Sequence, residues 1–500
     1  MAEQLASKFD VVVVGAGNAA LTAALSAAEG GKTVLILESS DQTHMGGNSR
    51  FTLGGFRFGY TNTSDVYDLV PNLTLAERRI VHETPYSPED FVTTLKTLSR
   101  GEADETLCHF LSERSLHVVR WLTRHNVTWN LRIWGIEPEP MWSTSPGNVY
   151  ATGRGPGLIS ALLQSVAKAG IEILYEHEFA DVLFDNLSRV EAVIVKNKDL
   201  VMQIKCRSIV LACGGFEANR EKTAEFMGAE WSTMRVRGTR ENKGAGIFSL
   251  LKHGAQAYGQ WNNGHAVPVA SNAPSFGNFQ LGETTRRCLF QFGISVDRFG
   301  RRFMDEGANK KTFMYSTTGL AVAAQDGRRA YQIFDRRLDS ANFELAFYKS
   351  GTFHTAETIG DLAVQIGIPP SDLVKEVDAY NQAVISDELF DPSRLDGSAT
   401  HGLIPNRTNF AARILESPFF AFEVVGGVTF TFGGLRIDTQ CRVLRIDGTP
   451  MEGAFAAGEM AAGFFAHTYP ANAGLTRGAV TGWQAGRSAA DYVNAAMGDT

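Results

Sequence analysis

The sequence has no run of about 18 apolar residues free of glycine and charge, so no membrane-spanning helix is predicted. Its first eight residues, 1–8, are polar and lead directly into an apolar strand, which leaves no room for a signal peptide. We therefore expect a cytoplasmic protein without a membrane span.

Cysteine is also scarce, with five residues and no C-x-x-C pair, which favours a reducing compartment and argues against a zinc ribbon or an iron–sulfur site. We therefore predict no metal site. Basic blocks are absent too, and 47 Lys and Arg against 54 Asp and Glu give a net charge of -7. A nucleic-acid partner is not expected from this charge distribution.

The chain has 500 residues, of which 44% are hydrophobic and 20% charged. This composition can bury a sizeable core and excludes a disordered chain. The length predicts two or three domains, or one large α/β enzyme body.

Glycine, in contrast, is abundant, with 50 residues, and its first cluster follows a β-branched run at residues 9–14. A helix over 21–29 and a second strand over 33–37 complete a β-α-β unit. Gly15 permits the tight turn, and Gly17 lets a pyrophosphate approach the positive end of the helix. The small residues Asn18, Ala19 and Ala20 continue this turn, and Ala20 occupies the third position, where helix and strand pack closely.

Glu38 follows the second strand, about 20 residues after the glycines, where a carboxylate accepts hydrogen bonds from ribose hydroxyls. It would repel a 2′-phosphate, which disfavours a phosphorylated nicotinamide cofactor. The alternative is a strand–turn–helix without a ligand, but strand, spacing and carboxylate together favour a dinucleotide. The glycine pattern alone does not separate NAD from FAD.

Three later segments bear on that choice. A loop at 45–50 contains two glycines that expose backbone amides, and a strand at 207–213 ends in another glycine pair. A strand at 453–458 ends on Glu459, and a small-residue helix begins near 473.

Together these segments resemble the FAD-dependent fumarate reductase/succinate dehydrogenase flavoprotein family, with the greatest similarity to its tricarballylate dehydrogenase branch. The resemblance covers nearly the whole chain. It depends on sequence blocks at 46–50 (GGNSR), 211–219 (LACGGFEAN), 237–247 (RGTRENKGAGI), 264–267 (GHAV), 302–309 (RFMDEGAN), 426–438 (GGVTFTFGGLRID) and 456–476 (AAGE…YPANAGLT).

The resemblance implies an α/β fold in which a discontinuous Rossmann-like FAD-binding domain carries an inserted α+β cap domain. We expect the first part of the FAD-binding domain at 1–258, the cap at 259–417 and the second part at 418–500. Residues 62–135 are expected to form a helical excursion, and a cap helix is expected near 318–325.

The resemblance also implies FAD as the cofactor. Glu38 would bind the adenosine ribose, Glu459 the ribityl chain, and the helix start at 474–476 would point at the flavin pyrimidine. A helix N-terminus there would stabilise the negative charge of reduced flavin. The complete set of expected FAD contacts is Gly15, Gly17, Asn18, Ala19, Ala20, Glu38, Ser39, Gly46, Gly47, Asn48, Ser49, Ala212, Gly214, Glu459, Gly474, Leu475 and Thr476.

The expected catalytic positions depart from the family pattern. An arginine that moves a proton in dicarboxylate-handling members is replaced by a lysine, either Lys310 or Lys311, and Lys311 fits the register better. A lysine can act as a general base where burial lowers its pKa. The alternative is two solvated lysines on a cap loop.

A second arginine position carries Tyr469, and the usual histidine is replaced by Phe430. Fumarate reduction is therefore not expected, and the pocket should be more aromatic and less cationic than a dicarboxylate requires. His265 matches a substrate-binding histidine, and His467 lies near Tyr469 as a second candidate. The paired arginines at 286–287 and 301–302 are expected to be solvated or paired, although either pair could meet an acidic substrate.

We therefore expect an FAD-dependent dehydrogenase that forms a C=C bond in a small organic acid or carbonyl-bearing metabolite. Lys311 or Tyr469 would take the proton, and an unidentified acceptor, or oxygen, would reoxidise the flavin. One alternative is an ene-reductase of the fumarate reductase type, fed by an external donor. The other is a flavin-binding protein whose substrate chemistry has changed.

Overall fold

The computed structural model describes residues 3–4, 9–131, 147–340, 345–386, 390–392 and 394–498. Its helices are α1 (Asn18–Glu29), α2 (Thr63–Leu69), α3 (Leu75–Glu83), α4 (Pro88–Leu98), α5 (Glu105–Arg124), α6 (Arg154–Lys168), α7 (Arg220–Phe226), α8 (Ala229–Ser232), α9 (Ala245–Lys252), α10 (Lys311–Ala323), α11 (Leu345–Lys349), α12 (Ile359–Ile366), α13 (Pro370–Ala383) and α14 (Ala473–Gly498). Its strands are β1 (Glu3–Gln4), β2 (Phe9–Val14), β3 (Val34–Leu37), β4 (Gly55–Arg57), β5 (Trp129–Asn130), β6 (Asn148–Ala151), β7 (Glu172–Leu174), β8 (Glu178–Phe184), β9 (Val190–Asn197), β10 (Leu200–Leu211), β11 (Arg235–Val236), β12 (Ala257–Tyr258), β13 (Gly264–Ala270), β14 (Ile294–Val296), β15 (Arg329–Phe334), β16 (His354–Ala356), β17 (Phe419–Thr431), β18 (Gly434–Leu435), β19 (Arg442–Leu444) and β20 (Pro450–Ala456).

The first sheet has the strand order β19-β20-β10-β2-β3-β7, and the strands from β20 to β7 run parallel. The inner strands β2 and β3 are rich in valine and leucine because both faces of a parallel sheet are covered. Their carboxyl ends meet at one edge, where ligands bind in open α/β sheets. The pairing of β20 with β10 brings the C-terminal part of the chain into the sheet that β2 begins, as a discontinuous domain requires.

Helices α1 and α14 pack closely against this sheet and against each other. Two glycines of α14 make this approach possible, since a Cβ on Gly482 would lie 2.3 Å from the Ala19 carbonyl oxygen and one on Gly486 would lie 2.1 Å from that of Ala23. The contact fixes the start of α14 beside the start of α1.

A second sheet has the strand order β11-β17-β15-β14, and β13 and β16 also pair with β17. Together with α10, α12 and α13 it forms the mixed unit expected as the cap, which confirms the α/β class with a second domain. The cap was expected to end at residue 417, but the cap sheet includes a strand that follows this position. The central strand β17 begins at Phe419 yet belongs to the cap sheet, because its apolar partners lie there.

Helices α2 to α5 occupy the expected excursion at 62–135, of which 132–135 lie outside the described residues. The cap helix expected near 318–325 is α10, which begins earlier, at Lys311. All five cysteines are free thiols. Within the described parts of the chain, we find no helix that combines the length and the apolar character needed to cross a membrane.

Candidate active site

A cleft with about 1620 Å³ of empty space, part of it open to solvent, lies between the first sheet and the cap sheet. It is lined by the carboxyl ends of β2 and β3, by the loop at 47–53, by residues 212–214, by parts of the cap and by the first turns of α14. The edge at which the parallel strands end is therefore one wall of this cleft.

Glycines leave space along the cleft where side chains would intrude. A Cβ added to Gly17, Gly47 or Gly474 would meet no atom closer than 3.5 Å, although all three residues line the cleft. Gly15 has a φ of +102°, and a Cβ there would lie 2.6 Å from the Ala212 carbonyl oxygen. The cleft thus has the glycine-lined cradle that a dinucleotide requires beside a helix N-terminus.

Glu38 lies at the end of β3, where its carboxylate accepts a 2.8 Å hydrogen bond from the Ser40 backbone N–H. Burial raises the pKa of Glu38, although the hydrogen bonds from Ser40 oppose the increase. Glu38 and Ser39 both line the cleft, so the carboxylate can accept hydrogen bonds from a ribose placed there.

A second carboxylate, Glu459, follows β20 and accepts a 2.8 Å hydrogen bond from the Thr431 backbone N–H. Beside it, Glu217 accepts 2.7 Å hydrogen bonds from the side-chain amides of Asn48 and Asn242. Burial and the charge of Glu459 raise the pKa of Glu217 well above its ordinary value. This network joins the loop at 47–53, β17 and the strand end at 459 around one wall of the cleft.

The start of α14 forms another wall. The Asn18 side chain donates a 2.8 Å hydrogen bond to the Leu475 carbonyl, which links the N-termini of α1 and α14. The Thr476 hydroxyl instead donates to the Arg57 carbonyl at 2.8 Å and accepts from the Arg57 N–H at 2.9 Å. Thr476 therefore fixes α14 against β4.

Most residues expected to contact FAD line the cleft. The three that do not are Ala20, Gly46 and Thr476. Ala20 is fully buried inside α1, and Gly46 has a φ of +109° at the turn before the lining residue Gly47. Those three residues lie behind the residues that line the cleft and support them.

At the cap side of the cleft, the hydroxyls of Tyr315 and Tyr469 lie 2.5 Å apart and share a hydrogen bond. The His265 ring contacts both tyrosine rings edge-on, at centroid distances of 5.0 and 4.9 Å. Its Nδ1 has no hydrogen-bond partner among the described residues. The Phe430 ring, 5.2 Å from that of His265, completes this aromatic wall.

Burial and nearby positive charge determine the protonation of these groups. Burial, together with Arg237 and Arg286, lowers the pKa of His265 well below its ordinary value, so the imidazole is neutral. Burial raises the pKa of Tyr315 well above its ordinary value and also raises that of Tyr469. At Tyr469 the hydrogen bond from Tyr315 opposes this increase, and so does the charge of Arg237.

The cleft contains more cations than the sequence predicted. Arg237 donates a 2.7 Å hydrogen bond to Glu283 and another to the Thr429 hydroxyl, and Arg286 lies 3.6 Å from Glu283. Both arginines line the cleft, as does Arg477. From the sequence, Arg286 was expected to be solvated or paired, or else to meet an acidic substrate, and no role was predicted for Arg237, Arg477 or Tyr315.

The cleft brings together some of the expected catalytic residues and not others. His265 and Tyr469 line it, whereas Lys310, Lys311 and His467 do not. Lys310 and Lys311 lie at the start of α10 and are half-buried. The His467 ring lies 2.8 Å from Glu102, away from the tyrosine pair.

Tyr315 lies four residues after Lys311 on the same helix, so the helical periodicity of α10 is the signal that could have predicted its position near the site.

A group of three or more His, Cys, Asp or Glu side chains able to hold a metal ion does not occur among the described residues.

The sequence matches the family described as FAD binding domain over residues 10–474. It is 25% identical over 497 residues to the probable fumarate reductase Ifc3 of Shewanella frigidimarina, covering 96% of this chain and 75% of that protein. It is 24% identical over 558 residues to the 3-oxosteroid 1-dehydrogenase of Mycobacterium tuberculosis, covering 95% of this chain and 96% of that protein. The fold is similar to that of the open conformation of a flavocytochrome c3 fumarate reductase, with a TM-score of 0.75 and 23% identity over 98% of this chain and 79% of that one.

Proposed function

Because the chain belongs to the FAD binding domain family and is an FAD-dependent oxidoreductase acting on CH–CH groups, we propose that it dehydrogenates a small carbonyl-bearing metabolite or organic acid. The relatives named above are a reductase and a dehydrogenase, both named for substrates that carry carbonyl or carboxyl groups. The observation that carries the proposal is the hydrogen-bonded pair Tyr315–Tyr469 beside the neutral His265 in the cleft.

Bound FAD supplies the hydride acceptor in this chemistry. One hydrogen would leave with its electron pair, as hydride to FAD. The other would leave the adjacent carbon as a proton, and the electron pair of that C–H bond would form the C=C bond. We assign the proton to the Tyr469 Oη, because Tyr469 lines the cleft and its hydroxyl shares a hydrogen bond with that of Tyr315. Burial raises the pKa of Tyr469, and the hydrogen bond from Tyr315 and the charge of Arg237 oppose that increase. The tyrosine pair thus replaces the lysines, which do not line the cleft, as the proposed proton acceptor.

A carbonyl group next to the reacting carbons would make that proton acidic, provided that its oxygen is stabilised as charge develops there. The Nδ1 of His265 has no hydrogen-bond partner in the described parts of the chain, and Arg237 and Arg286 carry positive charge close to the ring. These three side chains are our candidates for orienting the carbonyl or carboxyl oxygens of the substrate.

The same groups could work in reverse, with Tyr469 donating a proton to an enoate while FAD is supplied with electrons by an external donor. The similarity to a probable fumarate reductase over 96% of this chain is the observation that favours this second function. A closer relation to tricarballylate dehydrogenase, a specific organic-acid substrate and the electron acceptor remain predictions from the sequence. Anaerobic bleaching of the oxidised flavin by saturated acids or ketones supports dehydrogenation, and reoxidation of photoreduced flavin by enoates supports reduction.

We expect Tyr469→Phe to lower the rate of flavin bleaching by about 100-fold or more, the usual scale for removing a general base, while FAD content stays normal. The wild-type rate should rise with pH, because burial raises the pKa of Tyr469 and the phenolate forms only as pH increases. This rise should be absent in Tyr469→Phe.

The matched control is Tyr258→Phe, whose hydroxyl donates to Asp104 outside the cleft. It should leave the rate unchanged. A 100-fold loss in Lys311→Ala together with a normal rate in Tyr469→Phe would contradict the proposal and return the proton to the lysine.

A further inference from the structure

Arg477 is a buried cation that forms no salt bridge with any described residue, although the carboxylate of Glu459 is near enough for its charge to act on it. It is 3% exposed, it lines the cleft, and its Nε has no hydrogen-bond partner among the described residues. Its guanidinium lies over the rings of Phe465 and Phe430, at 4.8 and 5.4 Å from their centroids. Cation–π contacts offset only part of the cost of burying a charge.

The position of Arg477 on α14 adds to that cost. It is the fifth residue of a 26-residue helix, close to the positive end, where a cation is repelled by the helix dipole. Burial lowers its pKa to about 10, although the charge of Glu459 opposes this shift. A buried arginine with an unpartnered Nε and no salt bridge among the described residues is suited to bind an anion placed in the cleft.

The helix directs Arg477 at the same space as its own N-terminus. Gly474, Arg477 and Gly478 follow the i, i+3, i+4 spacing of one helix face, and all three line the cleft. Since the two glycines have no side chains, Arg477 supplies the side chain among these three residues. Exposed backbone N–H groups and a cation thus converge on one region.

That region belongs to the dinucleotide side of the cleft. The Asn18 side chain, at the start of α1, bonds to the Leu475 carbonyl and would lie 2.9 Å from a Cβ on Gly478. The charges of Glu459 and Tyr469 both act on Arg477, which places its guanidinium between the carboxylate expected at the ribityl chain and the tyrosine pair. Arg237 and Arg286 also act on Tyr469 and are our candidates for substrate anions.

The family resemblance implies that the N-terminus of α14 points at the flavin pyrimidine. We propose that Arg477 adds a cation at that edge and thereby raises the reduction potential of bound FAD. Two-electron reduction with uptake of one proton leaves one negative charge on the isoalloxazine, which a cation stabilises relative to the neutral oxidised form. The inference depends on FAD binding. It does not depend on the substrate or on the role of Tyr469 as proton acceptor. The Arg477 proposal and the Tyr469 proposal can therefore be contradicted separately.

The test is the midpoint potential of the bound flavin, measured without substrate, in Arg477→Met and Arg477→Gln. Each variant loses a hydrogen bond to a charged group, which contributes about 1.5–3 kcal/mol. We therefore expect the equilibrium constant for reduction of the bound flavin to fall by about tenfold or more. For a two-electron couple, each tenfold change lowers the potential by about 30 mV. Arg477→Lys, which keeps the charge, should remain closer to wild type.

Arg487→Met is the matched control, because Arg487 lies on the same helix, is exposed and contacts Trp483 rather than the cleft. Its potential should equal that of wild type. Potentials in Arg477→Met and Arg477→Gln that equal those of the control, with FAD bound, would overturn the proposal. If KM for acidic substrates rises while the potential is unchanged, Arg477 binds the anionic group of the substrate instead.

Discussion

Glu217 lies behind the cleft wall, next to Glu459, which lines the cleft. Glu217 is 2% exposed, and it receives two amide hydrogen bonds on one carboxyl oxygen while Glu459 lies close by. Two buried carboxyl groups side by side cannot both ionise at ordinary cost, so one retains its proton. The wall of the cleft nearest to Glu459 therefore carries less negative charge than its sequence suggests.

This arrangement predicts a pH-dependent stability effect for Glu217→Gln. The pKa of Glu217 is raised in the folded protein, so folding of the wild type is favoured at low pH and loses free energy as pH rises above the carboxyl's ordinary range. The variant cannot titrate. We expect its free energy of unfolding to gain on wild type by up to about 1.4 kcal/mol for each pH unit in that range.

Denaturant unfolding between pH 4 and 8 measures this gain. Glu221→Gln, an exposed substitution on α7, serves as the control and should track wild type. A constant difference between Glu217→Gln and wild type across this range would show that Glu217 ionises normally.

At the level of elements, the contact between α1 and α14 positions both helix N-termini at the cleft. Their backbones approach so closely that only glycine fits at 482 and 486. Because α1 borders the glycine cradle and α14 carries Gly474 and Arg477, a shift between these helices would move both walls of the cofactor site.

We expect Gly482→Ala to destabilise the protein by about 1–3 kcal/mol, the usual cost of overpacking, even though alanine favours helix formation. Thermal unfolding measures the loss, and FAD affinity should fall with it because the helices separate. Arg487→Ala, on the exposed face of α14, should change neither. A stabilised Gly482→Ala protein would mean that the two helices are further apart than the structure shows.

On the scale of the whole molecule, the cleft lies between two sheets whose strands come from distant parts of the chain. Residues from β2, β13, β17 and α14 all line it. A ligand that fills the cleft contacts both units, so FAD binding should stabilise the folded protein as a whole.

Added FAD should therefore raise the unfolding temperature in a concentration-dependent way. At an FAD concentration 100 times the Kd, the free energy of unfolding should increase by about 2.7 kcal/mol. Gly17→Val should abolish this response, because its side chain would project into the open space of the cradle. Gly360→Val, which places the same side chain at an uncrowded position in α12, should respond as wild type does. An equal response in all three proteins would place the cofactor elsewhere.

The sequence by itself determined the parts of this protein that depend on neighbours in the chain. The strand 9–14, its glycine turn and Glu38 at the end of β3 are encoded within 30 residues, so spacing and backbone preferences suffice to predict them. Ordered motif blocks extended that prediction to the FAD-binding fold and to Glu459 and Gly474.

Only the tertiary structure decided which side chains meet in the cleft. Tyr315 and Tyr469 are 154 positions apart, and Arg237 meets Glu283 across 46. Such contacts depend on how α10 and β17 pack over the first sheet. Burial there lowers the pKa of His265 well below its ordinary value, and it encloses the guanidinium of Arg477, whose Nε has no partner among the described residues.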